Sequence, residues 1–225
     1  MGEAIGQMLP SAVGVAISPF PIVAVVLMLA TARGRVNGLA FLVGWWVGLG
    51  AIGAVTLAVS GGASGGSSGA KPHWVGVVEL VLGALLLLVG VKEWRGRPRS
   101  PEEAAMPKWM GALDSFSPAK AVGAGFVLGA LNPKNLLLAV AGAVSIAQAG
   151  ISTGQEIVAW VIFIVIASLG VAAPVVVYFG MGDRSKHILE SMKTWLAGNN
   201  AVIMAVLVAV IGVKLIGDAI TILSA

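Results

Sequence analysis

The chain has 225 residues, of which 58% are hydrophobic and 11% are charged, and its formal net charge is +4. This composition excludes an ordinary soluble protein and is typical of a chain that crosses a membrane several times. Cysteine is absent, which excludes disulfides, thiolate chemistry and cysteine-ligated metals. The two histidines, His73 and His187, lie in different parts of the chain, so we expect no metal site and no cofactor.

Six segments are long and apolar enough to form membrane-spanning helices, which need roughly 20 apolar residues each. They cover about residues 4–31, 37–60, 74–94, 119–149, 155–181 and 200–222. No cationic region precedes the first apolar run, so we expect that run to belong to the mature protein rather than to a cleaved signal peptide. The sequence therefore predicts an all-α integral membrane protein with six transmembrane helices.

The basic residues alternate between the loops that separate these segments. The loop after the second segment carries only Lys71, and the loop after the fourth carries no lysine or arginine. The other three loops carry Arg33, Arg35, Lys92, Arg95, Arg97, Arg99, Lys108, Lys120, Arg184, Lys186 and Lys193. Because cytoplasmic loops carry the excess of lysine and arginine, the pattern predicts that these three loops are cytoplasmic and that both termini are outside. It indicates orientation in the bilayer rather than binding of nucleic acid.

Two of the segments are interrupted by proline. "SPFP" (Ser18, Pro19, Phe20, Pro21) lies midway along the first segment, and "NPKN" (Asn132–Asn135) lies midway along the fourth. Proline removes a backbone donor and clashes with the preceding turn of a helix. At membrane depth such a break is tolerated only where it is buried in protein or lines a cavity. Two ordinary proline kinks are the simpler interpretation.

Interrupted helices at matching positions of two halves are also the signature of an inverted-repeat transporter. We therefore predict a first three-helix repeat over residues 1–94, a basic cytoplasmic linker over 95–117, and a second, oppositely oriented repeat over 118–225. The repeat would bring the two breaks together near the membrane midplane, around a substrate.

Lys134 is the most informative residue of the second break. A charge at the centre of a bilayer costs at least ~2.5–3.5 kcal/mol, so it needs a partner. We expect Lys134 to contact backbone carbonyls and Asn132 or Asn135 when the site is empty, and an anionic group when it is loaded. The helix N-terminus after Pro133 would add its positive dipole end. The alternative is a purely structural lysine.

The remaining polar and small residues have simpler interpretations. Asp218 follows Lys214 by four residues, which predicts a local ion pair; Asp218 and Glu79 are also candidates for proton coupling. The sequence around Ser117 and Pro118 predicts a helix start. The glycine pairs Gly44–Gly48 and Gly125–Gly129 permit close helix packing, and on that basis a homodimer is plausible.

The sequence resembles a known family in three stretches: "SPFPI", "RGRVNGLAFLVGWWVGL" and "DSFSPAKAVGAGFVLGALNPKNLLLA". They are similar to the peptidoglycolipid addressing protein (GAP) family of actinobacteria, within the LysE-type exporter superfamily. The resemblance implies two inverted three-helix repeats and export, across the cytoplasmic membrane, of amphipathic cell-envelope glycolipids or their precursors. Electron carriers of the superfamily need a cysteine pair, and its metal transporters use histidines and acidic residues within the spans. This chain lacks cysteine, and its predicted spans contain few histidines and few acidic residues.

The central cation then favours an anionic substrate over a cationic one. We predict a transporter that exports or flips an anionic amphipathic lipid, glycolipid or lipid-linked sugar. The predicted binding residues are Ser18, Pro19, Pro21, Asn132, Pro133, Lys134 and Asn135, with Arg33 and Arg35 gathering headgroups at the entrance. The alternatives are an exporter of a small soluble metabolite or amino acid, and a membrane scaffold that transports nothing. An enzyme is not expected, since the sequence has no nucleophile–base pair and no metal constellation.

Overall fold

The computed structural model describes residues 1–63, 73–96 and 116–224, and every regular element in these ranges is helical. The helices are α1 (Gly2–Ala16), α2 (Pro19–Leu29), α3 (Gly34–Ala63), α4 (His73–Arg95), α5 (Pro118–Phe126), α6 (Pro133–Ala147), α7 (Thr153–Met181) and α8 (Ser185–Leu223). Most of the predicted Gly/Ser loop and of the basic linker, including Lys71, Arg97, Arg99 and Lys108, lies outside the described residues.

The helices confirm an all-α integral membrane protein with four to six candidate spans. Helices α3, α4, α7 and the Gly198–Leu223 part of α8 are each long and apolar enough to cross a bilayer. The other two candidates are bent pairs, α1 with α2 at 47° and α5 with α6 at 61°. The bends coincide with the two proline motifs of the sequence.

Each bend begins with an extended residue in front of a proline. Ser18 and Asn132 both have extended backbone angles, because the ring of a following proline disfavours the helical region. Pro19 and Pro133 then occupy the first helical position, where a missing N–H costs no hydrogen bond. The second break has an additional feature, since a π-helical turn, Val127–Leu131, precedes it. No pattern in the sequence predicted this turn.

Helix α8 begins well before the predicted sixth span. The segment Gly182–Asn200 is expected from its charge to be a short break, but only Gly182–Arg184 leaves the α-helix, as one 3₁₀ turn. Gly182 takes a positive φ of 53°, which ends α7. The rest of the segment contains no proline, and local contacts such as the 2.5 Å ion pair between Lys193 and Glu190 support a continuous helix.

The predicted small-residue faces pack against each other within the chain. Gly44 of α3 lies against the backbone carbonyl of Val122 in α5, and Gly125 lies against that of Phe41. Because these glycines are used between α3 and α5, they no longer support a homodimer. The homodimer stays a prediction that rests on the resemblance to the exporter superfamily.

Helices α4 and α8 pack antiparallel through reciprocal contacts. A Cβ atom on Gly83 would lie 2.8 Å from the carbonyl oxygen of Gly212 and 2.8 Å from Ile216. A Cβ atom on Gly212 would lie 3.0 Å from the carbonyl oxygen of Gly83 and 3.1 Å from Leu87. The two helices therefore meet at Gly83 and Gly212. Each glycine lies against the carbonyl of the other and against the residue four positions after it, which is Ile216 for Gly83 and Leu87 for Gly212.

One end of the bundle collects much of the positive charge in the described residues. The side-chain amide of Asn37, early in α3, donates to the carbonyl oxygen of Phe116 just before α5 (3.0 Å). The Arg35 guanidinium lies 6.0 Å from the ring centroid of Phe179 near the end of α7. The basic end, as we call it, carries Arg33, Arg35, Lys120, Arg184 and Lys186. The residues that follow α2, precede α5 and end α7 are thus neighbours in the fold.

Candidate functional site

Lys134 lies in the first turn of α6, directly after the second break, and is only 6% exposed. Its ammonium group donates to the sulfur of Met204 in α8, with an Nζ–Sδ distance of 2.6 Å. Among the described residues this thioether is its only side-chain hydrogen-bond partner, and a thioether is a weak acceptor. The cation is therefore buried beside a group that compensates poorly for lost hydration.

The two asparagines of the motif bond to the backbone instead of to the lysine side chain. Asn132 Oδ1 accepts from the backbone N–H of Lys134 (3.1 Å) and so caps α6. Asn135 Nδ2 donates to the carbonyl oxygen of Leu128 in the π-helical turn (2.9 Å). Among the described residues the Lys134 ammonium group bonds to neither a carbonyl nor either asparagine, so the prediction for this side chain is wrong. Both amides are needed by the backbone groups that the break leaves unpaired.

The capping bond of Asn132 leads to a stability prediction. Replacing Asn132 with alanine should lower the free energy of unfolding by about 1 kcal/mol, because one helix N–H loses its acceptor. Asn132→Ser, which retains a capping oxygen, should remain close to the wild type. Thermal unfolding of the purified protein in mild detergent measures both. Equal loss in the two variants would show that the cap does not stabilise the break.

Glu93, near the end of the predicted third span, also belongs to the surroundings of Lys134. It lies in the last turn of α4, close enough for its negative charge to attract Lys134, but the two form no salt bridge. Neither Glu93 nor Met204 was identified from sequence. Each is distant in sequence from Lys134, and no local pattern marks it.

Two grooves lined mostly by apolar side chains flank α4 near this site. One lies between α4 and α6, has a volume of about 400 Å³, and is lined by Leu85, Leu88, Val89, Lys92, Pro133, Leu136 and Leu137. The other lies between α4 and α8, has a volume of about 510 Å³, and includes Trp94, Arg95, Ala205 and Ala209. Each has a single basic residue. This arrangement suits a chain of methylene groups that ends in an anion.

The first break is buried but is not joined to the second by polar contacts. Ser18, Pro19 and Pro21 are all buried, and the Ser18 hydroxyl makes no capping bond to α2. The halves do touch nearby, since Gly14 of α1 lies against Leu138 of α6. Within the described residues, however, no hydrogen bond or ion pair links the SPFP motif to the NPKN motif. Their shared role in binding stays a prediction.

The other predicted site residues lie away from Lys134. Arg33 and Arg35 are exposed at the basic end. Glu79 is buried in α4, and Asp218 forms the expected ion pair with Lys214, at an Nζ–Oδ2 distance of 2.5 Å. The ion pair is confirmed, whereas proton coupling by Glu79 or Asp218 stays a prediction.

A comparison with known families found a match over nearly the whole chain. The model of the family SfLAP, described as "Sap, sulfolipid-1-addressing protein", matches residues 8–221, which is nearly the whole chain. A search of the curated proteins and a search of the solved structures found no match. SfLAP is a family of addressing proteins and is not a known enzyme family. The chain therefore belongs to the sulfolipid-1-addressing protein family, which has a role in lipid export or localisation in the membrane.

Proposed function

We propose that this protein moves an anionic amphipathic lipid, glycolipid or lipid-linked sugar from the inner to the outer leaflet of the cytoplasmic membrane. The observation that carries the proposal is the burial of Lys134 against the weak acceptor of Met204. The family description supports it, because a sulfolipid combines an anionic group with acyl chains.

The charge of the site favours an anionic headgroup. A buried ammonium group without a strong acceptor is costly, and neither the thioether nor Glu93, which forms no salt bridge with Lys134, offsets this as a salt bridge would. A headgroup phosphate, sulfate or carboxylate would supply a charge-assisted hydrogen bond, which is roughly twice as strong as a neutral one. A cationic substrate would add a second positive charge at the same place.

The grooves beside α4 favour a lipid over a soluble metabolite. A small polar substrate needs a cavity whose walls offer polar groups, whereas both grooves are lined mostly by apolar side chains. An acyl chain in the groove between α4 and α6 would place its headgroup near Lys92 and Lys134. A scaffold that transports nothing would have no need of a buried cation beside such a groove.

The helix arrangement supports six spans that form two inverted three-helix repeats, and the charge pattern of the loops favours both termini outside. In such a repeat α4 would be equivalent to α8 and α3 to α7, so each pair would meet across the pseudo-two-fold axis. The reciprocal contacts of Gly83 in α4 and Gly212 in α8 are those expected of two equivalent helices that meet across such an axis. Trp46 of α3 also donates to the Ser168 hydroxyl of α7 (3.1 Å). The symmetry is incomplete at the broken helices. In the same repeat α1 would be equivalent to α5 and α2 to α6, but α1 packs extensively on α6 whereas α5 makes no comparable contact with α2. A relation to the LysE-type exporters is part of the same proposal.

The first test is mass spectrometry of the lipids that copurify in mild detergent with the wild type and with Lys134→Met. We expect one anionic lipid class to be enriched in the wild type and lost from the variant, because its headgroup loses the cation. Lys214→Met, which removes a lysine of α8 that is already paired, should retain the lipid. The same unselective lipid mixture in all three proteins would contradict the proposal and favour a soluble substrate or a scaffold.

A further inference from the structure

A third cavity lies at the basic end, away from Lys134. It has a volume of about 340 Å³ and is enclosed by the end of α2, Tyr178 of α7 and the first turns of α8. One wall is apolar and includes Val26, Leu27 and Leu29. The opposite wall carries Lys186, Glu190 and Lys193. The cavity therefore has the two kinds of surface that an amphipathic anion requires.

Lys193 is the cation of this wall that is best placed for a ligand. Its side chain is 16% exposed, whereas its partner Glu190, at an Nζ–Oε1 distance of 2.5 Å, is 63% exposed. An ion pair with one largely solvated member contributes little to stability, about 0–1 kcal/mol. Glu190 can therefore turn into water when a ligand anion takes its place beside Lys193.

Helix α8 connects this cavity with the Lys134 site. Lys186, Lys193 and Met204 are separated by 7 and 11 residues (186 to 193, 193 to 204). These spacings are close to two and three whole helical turns, so the three side chains lie along one stripe of the helix. Lys193 and the Met204 contact of Lys134 are then about 16 Å apart along α8. A headgroup released from one cation would meet the other along the same face.

We propose that the cavity between α2 and α8 is a second binding site, for the anionic group of an amphiphile. Lys193 binds the phosphate or sulfate in exchange for Glu190, and the α2 wall packs against the first methylene groups. The site precedes Lys134 on the path from the basic end. That order rests on the proposed function, but binding at the cavity does not.

The test measures the affinity of dodecyl phosphate by isothermal titration calorimetry, with the full chain in phosphatidylcholine nanodiscs. All proteins carry Lys134→Met, so that the first site does not contribute. Adding Lys193→Gln should weaken binding about tenfold, as expected for loss of a charge-assisted hydrogen bond. Adding Glu190→Gln should tighten binding by a few fold, because the competing carboxylate is gone. Lys214→Gln removes an equally paired lysine elsewhere on α8 and should leave the affinity unchanged.

Three outcomes would overturn the proposal. The first is a Glu190→Gln variant that binds no tighter than its parent while Lys193→Gln binds equally well. The second is inorganic phosphate binding as tightly as dodecyl phosphate, since the apolar wall would then have no role and the ligand would be a soluble anion. The third is an equal loss of affinity in the Lys214→Gln control. Lys193-dependent binding alongside a failure of the Lys134 experiments would support this site and contradict only the proposed transport.

Discussion

Replacing Lys134 with methionine is expected to abolish lipid movement while leaving the protein as stable as the wild type or more stable. Transport should fall at least about 30-fold, because the anionic headgroup loses the cation with which it pairs. Truncating one partner of a buried charged pair costs about 2–5 kcal/mol or more. The measurement is leaflet exchange of a fluorescent anionic lipid in proteoliposomes, accompanied by thermal unfolding of the same preparations.

The opposite signs of the two effects follow from the surroundings of Lys134. Its only side-chain hydrogen-bond partner among the described residues is the Met204 sulfur, so methionine in its place removes a poorly compensated charge and adds an apolar contact. Replacing buried charges with apolar residues of similar volume is often neutral or stabilising. A lysine kept for structure would behave differently, since its loss would destabilise the break and reduce transport together.

The matched control is Lys214→Met on α8. Lys214 is about one-third exposed and already paired with Asp218, so we expect transport and unfolding close to those of the wild type. Wild-type transport by Lys134→Met would remove the central role of the lysine. A fall in its melting temperature parallel to the fall in transport would assign Lys134 a structural role.

Alanine at Gly44 or Gly125 is expected to destabilise the protein strongly. Each Cβ atom would lie against a backbone carbonyl of the facing helix, that of Val122 for Gly44 and that of Phe41 for Gly125. A backbone atom cannot rotate away as a side chain can, so α3 and α5 must separate. Such overpacking typically costs about 1–3 kcal/mol and sometimes more. Thermal unfolding and the yield of monodisperse protein measure the effect.

The chain provides controls on the same two helices. A Cβ atom on Gly50 of α3 or Gly123 of α5 would meet nothing within 4 Å. In these positions Gly→Ala should be neutral or slightly stabilising, because alanine is the better helix former by about 0.5–1 kcal/mol. If Gly44→Ala and Gly125→Ala behave like Gly50→Ala, then α3 and α5 do not approach as closely as the structure indicates.

Much of the architecture could be predicted from sequence because it depends on local rules. The apolar segments, the breaks at Pro19 and Pro133 and the cap at Ser117, which accepts from the Lys120 N–H, each follow from composition or from residues within one turn. The Lys214–Asp218 pair was also predictable, since residues four apart on a helix face the same side. Where the local pattern was ambiguous, as in Gly182–Asn200, charge suggested a loop and the structure has a helix.

The surroundings of the site were decided by the tertiary structure. Met204 is 70 residues from Lys134, and the contact of Asn37 with Phe116 spans 79 residues. Which side chains meet across two helices depends on their rotation and register, and these are set by packing along the whole interface. The sequence by itself determined that a membrane helix would break at Pro133 and carry a cation there. Only the tertiary arrangement of α4, α6 and α8 decided that this cation would meet the Met204 thioether and lie within electrostatic reach of Glu93, because no local rule specifies the partner of a buried side chain.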